Sequence, residues 1–103
     1  MRLEDVVKMQ TRDTAQAFGM TDRGELVVGK KADINLIDFD ALTVHAPEMV
    51  NDLPANGRRL IQRATGYRFT IQSGVVTFEE GQATGALPGS LYRSKPRANQ
   101  AAA

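Results

Sequence analysis

The sequence predicts an α+β chain, with short N-terminal helices followed by a small antiparallel β-sheet. Three observations predict it. Apolar residues at Leu3, Val6, Val7, Ala17 and Phe18 fit a helical face. After Asp22-Arg23-Gly24 the hydrophobic period drops from helical to two. Two-residue and glycine-bearing turns then punctuate the rest, most plainly Ser73-Gly74 between apolar runs.

The first helix runs through Leu3, Val6 and Val7, and Gln10, Thr11 and Asp13 interrupt its apolar face, so two short helices with a break near Thr11 are expected. Thr11 suits the N-cap of the second, because its hydroxyl accepts from free N–H groups of the next turn, with Asp13 near the positive end of the dipole. Gly19 suits a left-handed C′ position, with Met20 as the apolar contact beyond it.

Leu26 and Val28 alternate, Gly29-Lys30-Lys31 turns, and Ile34 to Phe39 is the most strand-like run. Ile34 and Leu36 fall on one face of that strand and Ile37 and Phe39 on the other, so cover on both sides is expected. Residues 40–57 lose all period around Pro47, Pro54, Asn56 and Gly57 and are expected to form a long loop, of a length that is usually functional or wraps another surface. Arg59 to Ala64 and Tyr67 to Gln72 read as strands separated near Gly66, Ser73-Gly74 turns into Val75 to Phe78, and Glu80-Gly81 turns again. Leu87-Pro88-Gly89 has the residues of a type II turn, and from Ser94 the polar, alanine-rich end is expected to fray.

Composition narrows the functions open to the chain. In 103 residues, Leu, Ile, Val and Phe number 24, a lean core for one small domain or a piece of a larger one. Without cysteine there is no disulfide framework and no thiolate metal or redox site. No basic-then-apolar leader opens the sequence and no apolar run approaches the roughly 18–20 residues of a membrane span, so a soluble, cytoplasmic chain with no membrane partner is expected. Residues 1–57 carry a net −4 and residues 58–103 a net +5, which asks for an account of the basic half.

Few residues are placed to do chemistry. His45 is the single histidine, and neither a cysteine nor a serine in a nucleophile-elbow context accompanies it. Joined to Asp38 and Asp40 it would offer a metal one imidazole and two carboxylates without defined ligand spacing, so it reads as a surface histidine. Asp33 and Asp38 bracket a strand and Glu79-Glu80 ends a hairpin, and such carboxylates commonly bond nearby backbone N–H groups. The glycines from Gly81 to Gly89 lack the Lys-Ser or Lys-Thr of a phosphate cradle. Arg58, Arg59, Arg63 and Arg68 with Tyr67 and Phe69 make the best case for nucleic acid. The pleat divides them between two faces, however, and a pI near 8.1 is low for a basic binding domain. Ion pairing to acidic neighbours is the expected use of these arginines.

The run Gly24-Glu25-Leu26-Val27-Val28-Gly29-Lys30-Lys31-Ala32-Asp33-Ile34-Asn35-Leu36-Ile37-Asp38 resembles the C-terminal G-x-L-x-x-G-x-x-A-D segment of the amidohydrolase superfamily of metal-dependent hydrolases. In it two glycines make turns where a side chain would clash, Ala32 permits close backbone approach, and two aspartates bound a strand. The stretch Asp52-Leu53-Pro54-Ala55-Asn56-Gly57-Arg58-Arg59 through Gly66-Tyr67, with Ser73-Gly74, Glu80-Gly81 and Thr84-Gly85-Ala86-Leu87-Pro88-Gly89, is similar to the C-terminus of the N-acyl-D-amino-acid deacylase branch, and the likeness covers residues 3–93.

The resemblance implies a (β/α)8 barrel with bound metal, usually zinc, and a small β-sandwich built from both chain ends. It places residues 1–20 among the final helices of the barrel, 21–93 in the C-terminal strands of the sandwich and 94–103 in a flexible tail. The family's metal ligands and catalytic aspartate belong to barrel segments with no counterpart here. No catalytic, cofactor-binding or metal-binding residue is therefore carried over, zinc is implied only for the full-length enzyme, and the chain by itself is expected to be inactive. Its expected partners are the missing barrel and N-terminal strands, or further copies of itself through exposed strands; the alternative is a free-standing β-rich interaction module that binds a protein partner through the 40–57 loop, with a single-stranded nucleic-acid-binding domain behind it.

Overall fold

The computed structural model describes residues 1–93, so the expected frayed tail lies outside the described residues. The architecture is α+β, an N-terminal helix followed by small antiparallel sheets. The chain divides into two compact units, one of residues 1–33, 72–74 and 88 onward, the other of residues 34–71 and 75–87.

In the first unit, α1 (Leu3–Lys8), a π-helical turn (Met9–Asp13) and α2 (Thr14–Ala17) follow one another without a break. The two separate helices expected are thus one helix with a π insertion. The physical reason lies in the threonines. The Thr11 hydroxyl donates to the Val7 carbonyl and the Thr14 hydroxyl to the Met9 carbonyl, both at 2.7 Å, so each satisfies a carbonyl behind it and Thr11 caps nothing. All junction residues keep right-handed helical dihedrals, and the extra residue is absorbed by widening one turn. The helix ends as expected: Gly19 is left-handed (φ 71°), Met20 N–H reaches Ala15 O at 2.8 Å and Gly19 N–H reaches Gln16 O at 3.1 Å, the two bonds of a Schellman cap.

The following segment lies across the helix where both are small. Gly24 is at φ 95°, and a Cβ there would stand 2.7 Å from Ala15 Cβ, while Ala15 is only 7% exposed. Gly29, also left-handed, has open space around it, so the first glycine of the motif answers to a close approach and the second to a turn alone. No strand forms at Leu26 and Val28. Lys30 N–H closes a turn onto Val27 O, and both side chains are exposed.

The second unit holds eight strands in three sheets. β1 (Ile34–Ile37), β6 (Tyr67–Gln72), β7 (Val75–Glu79) and β8 (Gln82–Ala83) form a four-stranded sheet in that order; β2 (Thr43–Val44) pairs with β5 (Ala64–Thr65), and β3 (Glu48–Leu53) with β4 (Gly57–Ile61). Residues 40–57, expected as a loop, therefore carry β2, β3 and short 3-10 turns at Phe39–Ala41 and Pro54–Asn56. Alternation is missing from β3 because its register with β4 shifts between Val50 and Leu53, and because Met49 (58% exposed) and Leu60 (65%) stand opposite each other on an uncovered side. The strand expected over Arg59 to Ala64 is correspondingly two pieces, β4 and β5.

Among the described residues three hairpin turns place a non-glycine residue at positive φ. Ser73 (φ 52°) with Gly74 (φ 79°) and Glu80 (φ 49°) with Gly81 (φ 78°) are two-residue hairpin turns, as their sequences foretell. Gly89 is not left-handed, so the expected type II turn at Pro88-Gly89 does not form. At the tip of the β3–β4 ribbon Ala55 (φ 58°) and Asn56 (φ 59°) are both left-handed, which costs a non-glycine residue about 1–2 kcal/mol. Ala55→Gly is accordingly expected to stabilise the ribbon by about 0.5–1 kcal/mol, seen as a higher denaturant midpoint.

Candidate functional site

In the four-stranded sheet, register decides which side chains share a face. Ile34 lies opposite Ile71, Leu36 opposite Phe69 and Phe78 opposite Ala83. β6 and β7 are neighbours in the sheet and the Thr77 hydroxyl donates to Thr70 O, which sets Ile71 beside Val76 and Phe69 beside Phe78. Ile34, Leu36, Phe69, Ile71, Val76 and Phe78 thus form one apolar face without a charge on it. It is open: Leu36 is 53% exposed and Phe78 45%.

The opposite face is polar and internally bonded. The Thr70 hydroxyl donates to Asn35 Oδ1 at 3.0 Å and the Thr77 hydroxyl to Thr70 O at 3.1 Å, while Thr77 is one of only two buried residues among those described. This corrects the expectation of apolar residues on both sides of β1. A register shift follows Leu36, and Phe39 leaves the strand for a 3-10 turn, so Ile37 and Phe39 do not build a second apolar face.

The candidate chemical residues are engaged locally. Asp33 accepts the Ser73 N–H at 2.9 Å, and Ala32 O accepts the Gly74 N–H at 3.0 Å, both within the first unit. Asp38 pairs with Arg68 at 3.3 Å, which also faces Glu80 at 3.6 Å. His45 Nε2 is 3.2 Å from the Thr65 hydroxyl, and its backbone N–H and carbonyl bond Arg63 O and the Gln62 amide, so it extends the β2–β5 ladder. Asp38 and Asp40 are not brought to it as a ligand set, and among the described residues no three of His, Asp and Glu converge on a possible metal position.

The arginines are largely spent on carboxylates. Arg59 grips Asp52 through two bonds, Nε to Oδ1 at 2.7 Å and a second nitrogen to Oδ2 at 2.6 Å, and Arg63 pairs with Glu48 at 3.1 Å. Among the described residues Arg58 has no ion pair. A nucleic-acid surface would compete with three existing pairs, which weakens that reading further.

The Arg59 hydrogen bonds hold Asp52 below the usual carboxylate range and raise Arg59. Because the folded value of Asp52 is the lower one, its contribution is complete above the unfolded pKa near 4 and fades as pH falls through the folded value. Protection of the β3–β4 amides, taken relative to intrinsic exchange at each pH, should therefore fall on acidification below about pH 4, and the Arg59→Met ribbon should lack that acid step. In the first unit Arg23 similarly lowers Asp22 through a hydrogen bond, and its guanidinium lies 4.3 Å from the centre of the Tyr92 ring. That unit also has an open hollow of about 440 Å³ beside Phe18, Met20 and Arg23. Among the described residues no buried side-chain nitrogen or oxygen lacks a hydrogen-bond partner.

Sequence reasoning missed the shared apolar face. The signal was present in the two-residue turn, which fixes the pairing parity of Phe69, Ile71, Val76 and Phe78. No described helix is long and apolar enough to cross a membrane. The sequence model of the amidohydrolase family matches residues 1–78, about three quarters of the chain. No solved structure gives a significant match.

Proposed function

Since the chain belongs to the amidohydrolase family, we propose that it is the C-terminal, structural part of a metal-dependent hydrolase of the N-acyl-D-amino-acid deacylase kind, completing a β-sandwich and supporting a barrel that cleaves the amide bond of N-acyl-D-amino acids. The open, uncharged face of the four-stranded sheet carries this reading. The Asp52 to Gly66 and Gly81 to Gly89 motifs support the deacylase branch within the family.

Magnitudes favour cover by a tethered segment over cover by a second copy. Covering such a face gains about 25 cal/mol per Å² of apolar surface removed from water. Joining two separate molecules loses roughly 4–15 kcal/mol of translational and rotational freedom, and stable interfaces take about 800 Å² per partner. A covering segment in the same polypeptide avoids most of that loss. The imidazole of His45, bonded to the Thr65 hydroxyl, and its scattered carboxylate neighbours make no zinc donor set, so the metal and the water it activates belong to the barrel in this reading.

The test is complementation. A deacylase of this branch stripped of its corresponding C-terminal segment, co-expressed with the chain, should yield a soluble complex that hydrolyses N-acetyl-D-amino acids. Phe78→Asp should lower the recovered activity at least tenfold. Turnover by the chain alone with added zinc, or a complex indifferent to Phe78→Asp, would overturn the proposal.

A further inference from the structure

We draw no further inference here: the strongest candidate, the exposed Met49 and Leu60 side of the β3–β4 ribbon, is an unpartnered apolar face and nothing in the structure shows what covers it.

Discussion

Gly66→Ala should be the most damaging single-methyl addition in the chain. Gly66 is left-handed at φ 104°, and a Cβ there would lie 2.6 Å from Leu42 Cα, 2.8 Å from Leu42 N and 3.0 Å from Ala41 C. All three are backbone atoms, so no side-chain rotation relieves the overlap. The Gly66 carbonyl meanwhile accepts the Asp38 N–H at 2.8 Å, which ties the end of β1 to the start of β6. Moving the backbone aside would stretch that bond. The combined overlap and left-handed strain should cost about 3 kcal/mol or more. Gly81→Ala is the matched control, because Gly81 is left-handed but has nothing within 4 Å of its would-be Cβ, and should cost only about 1 kcal/mol. Hydrogen exchange of the Asp38 amide reads the effect even where global stability is small: protection should collapse in Gly66→Ala and persist in Gly81→Ala. Equal losses in the two variants would show that the close approach to Leu42 does not matter.

Placing a carboxylate on the open sheet face should change association far more than folding. Leu36 and Phe78 already meet solvent over about half their surface, so Leu36→Asp and Phe78→Asp forfeit little internal packing. What they remove is an uncharged patch, and such patches drive contact between molecules when nothing else covers them. At high micromolar concentration the unaltered chain should scatter light as transiently associated species and bind an apolar dye. Both signals should fall by at least half in either variant while the far-ultraviolet circular dichroism stays the same. Val28→Asp, at an apolar and still more exposed position in a turn of the other unit, should leave both signals almost unchanged. A strictly monomeric parent chain, or an equal effect from Val28→Asp, would remove the face as the source of association.

These experiments separate two kinds of glycine and two kinds of exposed apolar residue that look alike in the amino-acid string. Gly24 and Gly29 occupy equivalent-looking turns in one motif, yet only Gly24 has a neighbour within reach of a Cβ, because the Ala15 methyl happens to face it. Val28 and Phe78 are both exposed, yet only Phe78 belongs to a continuous face, because strand register gathers Leu36 and Phe69 around it. The hairpins at Ser73-Gly74 and Glu80-Gly81 and the Gly19 cap were legible, since each depends on dihedral preferences of one or two residues. The strand Glu48–Leu53 was not, since its partner lies beyond a turn and its register shift erases the alternation that announces a strand. The π turn was hidden for a related reason. Polar residues at positions 10, 11 and 13 read as an interruption, and the threonine hydroxyls that bond back to Val7 and Met9 turn it into a widening.

By itself the amino-acid order determined the α+β class, the two-residue turns at Ser73-Gly74 and Glu80-Gly81, the absence of thiolate chemistry and, through the run from Gly24 to Asp38, the family. Tertiary structure decided which side chains meet on the apolar side of the four-stranded sheet, that Asp52, Glu48 and Asp38 are the carboxylates that hold Arg59, Arg63 and Arg68, and that His45 serves a strand ladder. The division has one physical cause. Turn geometry and helix caps are set within a few neighbouring residues, whereas strand register and ion pairing depend on groups brought together from up to 30 or 40 positions away, as Arg68 with Asp38 and Ser73 with Asp33 demonstrate.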